Sequence, residues 1–211
     1  MLEPERRSRS YYQRRARFYD WSNRVAAFLR GASPTRERRK AVRRLRLKPG
    51  DSVLEVSVGT GTNLPLIAAE TGAEARLVGL DISPAMLGVC RAKSMRLGIS
   101  TTLVEGEAAH LPFADSSFDA VLHHGGLAEF GDKGSAIAEM FRVVRSGGRV
   151  VICDVGLPED GRVSLVNRLL LLLQPEYNQP PPMHLVPPSA RDVHLRWYFR
   201  GAWYMIESTK A

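Results

Sequence analysis

The sequence predicts an α/β fold in which helices pack on both faces of a mostly parallel sheet of seven strands. Short apolar segments alternate with helical segments between residues 52 and 155, which is typical of βαβ units. Apolar runs such as residues 149–153 (RVVIC) are nearly continuous, as in strands buried on both faces. Two final strands separated by a glycine turn predict an antiparallel hairpin. A length of 211 residues with 44% apolar content suits one domain with a substantial core.

The N-terminal segment, residues 1–48, is predicted to be helical and basic. Aromatic and aliphatic residues recur at spacings of three, four and seven over residues 9–30, with arginines between them, which indicates an amphipathic helix. The sequence GASP at residues 31–34 ends this helix. A second helix, rich in arginine, is expected over residues 35–45.

The predicted core, residues 49–155, follows a turn at residues 48–51. Ser83 is expected to cap a helix whose first residue is Pro84. The core elements are predicted as strand 52–58, helix 64–71, strand 76–81, helix 84–97, strand 101–105, strand 118–123, helix 133–144 and strand 148–155.

Two further regions complete the predicted domain. Residues 156–192 form an insert on the substrate side, with an apolar leucine run at 165–173 and a proline-rich extended loop. Residues 193–211 form the terminal hairpin, with strands at 193–199 and 202–209.

Charge is distributed unevenly along the chain, whose formal net charge is +8. Residues 1–48 carry a net +12 and the remainder a net −4. The basic segment is interpreted either as a solvated helical face or as a region attracted to anionic lipid, nucleic acid or an acidic substrate. Cys90 and Cys153 lie in apolar or amphipathic runs and are expected to be buried thiols. No secretory signal or membrane-spanning run is expected, so a cytoplasmic location is predicted, with peripheral contact at the inner membrane surface as a further possibility.

The stretch at residues 53–63 (VLEVSVGTGTN) is the principal candidate for a binding site. Gly59 and Gly61 follow a strand and precede a helix, where glycine permits a sharp turn and a close approach by a ligand. Ligands of open α/β sheets bind outside the carboxyl ends of the strands, and helix N-termini favour negative charge. A tight turn without a ligand is the alternative interpretation.

The residues around this turn restrict the ligand. Thr62 and Asn63 follow the last glycine, where a phosphate-binding loop needs lysine and then serine or threonine. Leu64 occupies the third glycine position of a dinucleotide turn. Asp81, 20 residues after Gly61, suits the two hydroxyls of a ribose. Because Glu55 would repel a pyrophosphate, a nucleoside with an ammonium and a sulfonium fits better than NAD.

Taken together, these motifs resemble those of class I S-adenosylmethionine (SAM)-dependent methyltransferases of the small UbiE/type-11 kind. The resemblance extends from about Phe18 to Val155 and implies a Rossmann-like class I methyltransferase fold with SAM as cofactor. The acid-and-glycine motif contains Ser57 where the family usually has glycine. The segment from Glu107 to Asp119 resembles the third motif of the family, which usually begins with aspartate.

The resemblance also implies the residues of the cofactor site. Asp81 corresponds to the ribose-binding acid, while Glu107 and the backbone of Ala108 correspond to the groups that contact adenine. No metal site is expected. The implied cofactor-binding residues are Glu55, Ser57, Gly59, Gly61, Asn63, Asp81, Ile82, Met86, Glu107, Ala108 and His123.

Methyl transfer from a sulfonium needs mainly orientation of the reactants, exclusion of water and, for some acceptors, removal of a proton. His123 and His124 end the fourth predicted strand and are candidate general bases, with simple packing as the alternative. Related enzymes fold an N-terminal helix over the pocket with a Tyr-Asp pair near its middle. Tyr19, followed by Asp20, is therefore the third catalytic candidate.

Several acceptor classes remain open. The leucine run and the basic N-terminal segment favour an apolar or amphipathic acceptor, such as a phospholipid or betaine-lipid amine or a quinone precursor. A soluble specialised metabolite is the alternative, and an inactive SAM-fold interaction protein is a second. Nucleic acid is disfavoured because residues 123–126 read HHGG where amino-methyltransferases of nucleic acids carry an Asn/Asp-Pro-Pro-aromatic motif. The sequence does not determine the oligomeric state.

Overall fold

The computed structural model describes residues 33–158, 179–198 and 201–211, together with residues 3, 6, 7, 9–14 and 16 of the N-terminal segment. Residues 9–14 are helical. The longer helices are α1 (Pro34–Arg44), α2 (Leu64–Thr71), α3 (Pro84–Arg96) and α4 (Lys133–Val143). The strands are β1 (Val53–Val56), β2 (Leu77–Asp81), β3 (Thr102–Glu105), β4 (Phe118–His124), β5 (Val144–Val155), β6 (Ala190–Tyr198) and β7 (Trp203–Lys210).

The strands form one sheet of seven in the order β3-β2-β1-β4-β5-β7-β6. The neighbouring pairs from β3 to β5 are parallel. Strand β7 is antiparallel to both β5 and β6. The predicted parallel sheet with a final antiparallel hairpin is therefore confirmed.

Apolar side chains pack on both faces of this sheet. Leu54 and Val121 point to the face covered by α4, where Met140 and Phe141 complete one core cluster. The residues next in the chain point to the opposite face, where Ala41, Val42 and Leu45 of α1 pack on Leu122 and Val151. This alternation explains why the central strands read as continuous apolar runs.

Helix starts are fixed by short polar side chains. The Ser83 hydroxyl accepts a hydrogen bond from the Met86 amide at 3.4 Å, with Pro84 at the first helical position, so the predicted cap of α3 is confirmed. Asp132 caps α4 in the same way, accepting from the Ser135 amide at 2.9 Å. These caps orient helices whose N-termini face the carboxyl edge of the sheet.

Some element boundaries differ from the predictions. Strand β5 begins at Val144, not at residue 148, because Val144 already pairs with Phe118 before an irregularity in the register. Strand β6 begins at Ala190, three residues earlier than predicted. Most of the predicted helix 9–30 and the leucine run 165–173 lie outside the described residues.

The strand order reverses between β1 and β4. The chain leaves β1 toward β2 and β3, and later returns to form β4 on the other side of β1. Such a reversal leaves a crevice outside the carboxyl ends of the two strands, which is where open α/β sheets bind ligands.

Candidate functional site

The turn after β1 contains three left-handed residues. The φ angles of Ser57, Gly59 and Gly61 are 58°, 55° and 72°. Glycine adopts this conformation freely, whereas a residue with a side chain pays about 1–2 kcal/mol. Ser57 thus adopts a left-handed conformation that favours glycine, at the position where the family that the sequence resembles usually has glycine.

The two glycines of the turn serve different purposes. A Cβ at Gly61 would lie 2.5 Å from the Cys90 sulfur, so this glycine lets the turn pack on α3. A Cβ at Gly59 would meet only the Ser57 carbonyl oxygen, at 4.0 Å. Gly59 lines the cleft, whereas Gly61 is not among the residues found lining it. Gly59 is therefore the position that leaves room for a ligand, and Gly61 is constrained by the protein itself.

Asp81, the last residue of β2, holds the turn in place. One carboxylate oxygen accepts from the Gly59 amide at 2.8 Å and the other from the Ser83 amide at 2.9 Å. The side chain lines the cleft, and burial raises its pKa above the usual value while these backbone bonds oppose the rise. Each carboxylate oxygen has a second lone pair, so Asp81 can still accept a hydrogen bond from a ligand hydroxyl.

Glu55 on β1 is joined to α1 through an amide. The Asn63 side chain donates to Glu55 Oε1 at 2.6 Å, and its own oxygen accepts from the Arg38 guanidinium at 2.9 Å. Glu55 Oε2 is buried and has no hydrogen-bond partner among the described residues. Burial raises the pKa of Glu55 to about 7, although Asn63 and Arg38 favour the ionised form.

These groups surround a first cleft of about 610 Å³, a volume that includes its opening to solvent. The predicted residues Glu55, Ser57, Gly59, Asp81, Ile82, Met86 and His124 line it. Asn63 is 1% exposed and is not among the lining residues found; it supports Glu55 from behind. The first cleft therefore brings together most of the residues that the sequence assigned to the cofactor.

A second cleft of about 440 Å³ continues from the first and shares Ser57, Ile82 and Phe130 with it. Glu107 and Ala108 line this second cleft, as does Leu80. The loop that follows is held by Arg142, which donates to the Leu111 and Phe113 carbonyl oxygens at 3.0 and 2.8 Å. The two predicted adenine-contacting residues thus lie beside the turn.

The two histidines at the end of β4 have different surroundings. His123 is fully buried; its Nδ1 donates to the Val56 carbonyl oxygen at 3.1 Å, and it is not among the residues found lining either cleft. His124 lines the first cleft, with Nε2 3.4 Å from the Tyr198 hydroxyl and its ring 5.1 Å from that of Trp203.

Burial determines the charge of both rings. It lowers the pKa of His123 to about 4 and that of His124 well below 6.5, where Arg38 adds to the effect. Both imidazoles are therefore neutral at pH 7. Only His124 combines a neutral ring with a position on the first cleft.

The N-terminal segment also reaches the clefts. Tyr12 lines the first cleft and donates from its hydroxyl to Glu129 Oε1 at 2.6 Å. Glu129 lines the second cleft, and Arg9 forms an ion pair with Glu105 at 2.6 Å. The predicted catalytic residue Tyr19 lies outside the described residues. Among the described residues of the N-terminal segment, Tyr12 is the tyrosine that lines the first cleft.

Sequence reasoning missed Arg38, Phe130 and Glu129, whereas Tyr12 belongs to the N-terminal helix that the resemblance implied would cover the pocket. A signal for Arg38 was present, because it lies three and four residues before the buried Ala41 and Val42, on the inward face of α1. A cation on the apolar face of a helix needs a partner, and this one has Asn63. Phe130 and Glu129 carry no comparable sequence signal.

Comparisons with known proteins agree with this geometry. The family described as "Methyltransferase domain" matches residues 54–152. A demethylmenaquinone methyltransferase of Thermus thermophilus is 36% identical over 151 residues, which are 72% of this chain and 67% of that protein. The ubiquinone/menaquinone biosynthesis C-methyltransferase UbiE of Geobacter sp. (strain M21) is 34% identical over 160 residues, or 75% of this chain and 67% of that protein.

The fold is also similar to those of solved methyltransferase structures. The crystal structure of a SAM-dependent methyltransferase from Aquifex aeolicus matches with a TM-score of 0.60 and 17% identity, over 85% of this chain and 94% of that one. The protein thus belongs to the class I SAM-dependent methyltransferases, and within that class to the UbiE type. Other relatives described as demethylmenaquinone methyltransferases are longer; the chain spans 56% to 61% of two of them.

Two negative results apply to the described part of the chain. No helix there is both long and apolar enough to cross a membrane. The same residues contain no group of three or more histidine, cysteine, aspartate or glutamate side chains that could hold a metal ion.

Proposed function

We propose that this protein transfers the methyl group of SAM to a small apolar or amphipathic acceptor, with the ring carbon of a quinone precursor as the favoured target. The main support is the pair of buried acids, Glu55 and Asp81, on either side of a turn that leaves room for a ligand. The relatives described as demethylmenaquinone methyltransferases favour the quinone class. Phospholipid or betaine-lipid amines and soluble metabolites are the other acceptor classes.

The residues present fit SAM. When bound, this cofactor supplies an electrophilic methyl group on a positively charged sulfur. Glu55 Oε2, buried without a partner in the described structure, is an acceptor that a cationic ligand group can satisfy. Asp81 retains lone pairs for ribose hydroxyls, and Glu107 and Ala108 in the adjoining cleft would hold the adenine. Ile82 and Met86 line the first cleft and provide apolar contact.

The acceptor side of the first cleft is proposed to lie near His124. A ring carbon that attacks the methyl group carries a proton which must then be removed. The neutral imidazole of His124 can accept that proton, and burial holds its pKa below the usual value. Phe130 lines the cleft beside the His123 ring and gives this side an aromatic surface suited to a planar ring, and Trp203 packs against the ring of His124 from outside the lining. His123, which does not line the cleft, and Tyr19, which lies outside the described residues, remain the other two predicted catalytic residues.

The basic surface of α1 is proposed to contact an anionic membrane, which would bring the enzyme to an acceptor dissolved in lipid. Arg36, Arg39, Lys40 and Arg43 are exposed along this helix, and only Lys40 has an acidic partner among the described contacts, Glu37 at 2.8 Å. Cations near an anionic surface contribute about 1 kcal/mol each. This contact places the protein at the cytoplasmic membrane surface as a peripheral component.

Transfer of a labelled methyl group tests the proposed function. Full-length protein is incubated with methyl-labelled SAM and one of three acceptors: demethylmenaquinone chemically reduced to the quinol, phosphatidylethanolamine, or a host lysate. Organic and aqueous phases are then counted, with Asp81→Ala as the matched inactive control. We expect label in the organic phase with the quinol and none with the control. Label confined to the aqueous phase would support the soluble-metabolite alternative. SAM binding with no transfer to any acceptor would support an inactive interaction protein.

A further inference from the structure

We propose that Tyr198 is a positioning residue for His124: its phenol oxygen accepts the hydrogen on Nε2, so that Nδ1 is the ring nitrogen that receives a proton in the reaction. This inference rests on the proposed function, in which His124 removes a proton from the acceptor. Tyr198 lies on β6, outside residues 54–152, which the family match covers. It is not among the residues found lining either cleft, so its effect on the reaction passes through His124.

The terminal hairpin holds the ring of His124 in two ways. Trp203 of β7 packs against it, with 5.1 Å between the ring centroids and 34° between the ring planes. The Tyr198 hydroxyl lies 3.4 Å from Nε2, and both of these side chains are buried. The plane of the imidazole is therefore fixed, and Nε2 is engaged by a hydroxyl of the protein itself.

The other ring nitrogen of His124 is available to a ligand. Nδ1 is buried and has no hydrogen-bond partner among the described residues, although the side chain lines the first cleft. A buried polar atom in this state costs free energy until a partner reaches it. Because a neutral imidazole carries one proton, Nδ1 can accept a second proton only when Nε2 carries the first. A base role for His124 therefore requires the tautomer with its hydrogen on Nε2.

Cys153 makes this tautomer compatible with the tyrosine, because it takes the tyrosine's own hydrogen. It lies on β5 directly opposite His124 in the sheet register. A hydrogen bond from Tyr198 lowers the pKa of the thiol against the larger effect of burial, which raises it to about 12. The hydroxyl thus donates to sulfur, as expected from the weaker donor strength of a thiol. The chain of donors runs from Nε2 to the phenol oxygen and from the phenol O–H to sulfur.

This arrangement balances the proton transfer. His124 Nδ1 receives the proton that the methylated ring carbon releases, and the imidazole becomes an imidazolium. Nε2–H stays bonded to the Tyr198 oxygen, and the phenol keeps its own proton. The positive charge that enters with the sulfonium ends on His124, and no further reactant is needed. Because a charged donor makes a stronger hydrogen bond, the contact with Tyr198 stabilises the imidazolium as it forms.

A purely structural role for Tyr198 makes a different prediction. If its hydroxyl only fills space, its loss should leave the tautomer of His124 unchanged. If the hydroxyl sets the tautomer, its loss should leave a mixture of the two. Cys153 tests the same chain from its far end. Without an acceptor at that position, the hydroxyl can turn and donate to Nε2, which places the imidazole hydrogen on Nδ1.

Full-length protein labelled with ¹⁵N-histidine provides the test, because the nitrogen shifts of an imidazole show which nitrogen carries the hydrogen. Spectra are recorded for wild type, Tyr198→Phe, Cys153→Ala and Cys153→Ser, and His124→Gln identifies the signals of His124. Tyr204→Phe is the matched control, since it removes the hydroxyl of another buried tyrosine of the hairpin, on the opposite face of the sheet. Turnover is measured with the reduced quinone acceptor, and SAM affinity by calorimetry.

Wild type and Tyr204→Phe should carry the hydrogen on Nε2. Tyr198→Phe should show mixed tautomers and a kcat lowered about 5- to 10-fold, as for the loss of one hydrogen bond, with a SAM dissociation constant changed less than about threefold. Cys153→Ala should shift the hydrogen toward Nδ1 and lower kcat similarly. Cys153→Ser retains an acceptor and should restore both properties. Thermal melts confirm that each variant is folded, and the two Cys153 variants give the same answer should Tyr198→Phe prove unfolded.

Two results would overturn the role of Tyr198 and leave the proposed methyl transfer intact. One is a wild-type His124 with its hydrogen on Nδ1. The other is a Tyr198→Phe protein that matches Tyr204→Phe in both tautomer and kcat. The predicted tautomers without methyl transfer to any acceptor would instead overturn the proposed function, while the placement of the imidazole hydrogen by Tyr198 would stand.

Discussion

The two sides of the first cleft are built in different ways. On the side formed by β1 and β2, buried acids are held by specific polar contacts, as when Asp81 accepts the Gly59 amide at 2.8 Å. On the side formed by the end of β4, His124 lines the cleft, and neutral rings pack behind it, with Trp203 of β7 at 5.1 Å and Tyr198 of β6 at 6.4 Å from the histidine ring. The first side suits a cationic nucleoside of fixed shape. The second suits a planar, weakly polar acceptor.

Asp81 gives the largest expected effect on the polar side. Asp81→Ala removes the hydrogen bond to the Gly59 amide of the turn, the one to the Ser83 amide before α3 and the proposed ribose contact, so SAM affinity should fall between about 10²- and 10³-fold. Calorimetric titration of SAM measures this loss. Glu74→Ala, which removes an exposed acid, serves as the control and should leave affinity unchanged. If the Asp81 variant binds SAM as tightly as wild type, the assignment of the polar side to the cofactor is contradicted.

His124 is the corresponding residue on the aromatic side. If its imidazole accepts the proton, His124→Gln should lower kcat about 10²-fold while the SAM dissociation constant changes less than about threefold. His123→Gln should mainly reduce stability, because it breaks the bond to the Val56 carbonyl. Turnover and urea unfolding of the two variants distinguish these outcomes. If His123→Gln is folded but inactive, His123 and not His124 would be the candidate general base.

The turn itself links the two sides and tolerates few changes. Gly61→Ala places a Cβ 2.5 Å from the Cys90 sulfur in a left-handed conformation, and should cost about 2–3 kcal/mol of unfolding free energy. Gly72 has a similar φ of 76° but nothing within 4 Å, so Gly72→Ala isolates the backbone cost, about 1 kcal/mol. Equal losses in urea unfolding would show that the contact with Cys90 is unimportant.

The pH dependence of stability reports on Glu55. Its pKa is raised to about 7 in the folded state, so the unfolded chain releases this proton at lower pH than the folded chain does. The stabilisation is complete below the unfolded pKa, near 4.5, and is lost as pH rises through about 7. Without SAM, the stability of Glu55→Gln relative to wild type should therefore increase by about 1–2 kcal/mol between pH 5.5 and 7.5. Urea unfolding at three pH values tests this, and a constant difference would contradict a buried, titrating Glu55.

Ser57 gives the smallest expected effect. Ser57→Gly relieves a φ of 58° but increases the entropy of the unfolded chain, and these terms largely cancel. We expect a stability change below about 1 kcal/mol and unchanged SAM affinity. A large loss of affinity would mean that the serine hydroxyl itself binds the cofactor, and the departure from the family glycine would then be functional.

The polar side could be predicted from the sequence because its residues lie close together in the chain. Glu55, Gly59 and Asn63 belong to one strand and turn, and Asp81 follows at a spacing set by a single helix and strand. The alternation of elements predicted a parallel sheet with a final antiparallel pair, whereas the order of its strands was implied by the resemblance to the family. The contact of Asp81 with the turn, in contrast, depends on three-dimensional geometry that spacing alone does not specify.

The aromatic side was less predictable because it is assembled from distant segments. His124 meets Tyr198 across 74 residues, and Tyr12 meets Glu129 across 117. Periodicity does not report which rings come together at such separations. Arg38 lies between these cases: its position on the inward face of α1 could be read from the sequence, but its partner Asn63 could not.

Equilibrium binding of the cofactor tests the central claim most directly. SAM and NAD are titrated separately into the full-length wild-type protein and the heat of binding is measured. The arrangement of Glu55, Arg38 and Asp81 predicts binding of one SAM per chain and no measurable binding of NAD, whose pyrophosphate would face the buried acids. Absence of SAM binding, or binding of NAD with equal affinity, would contradict the assignment of this cleft to SAM.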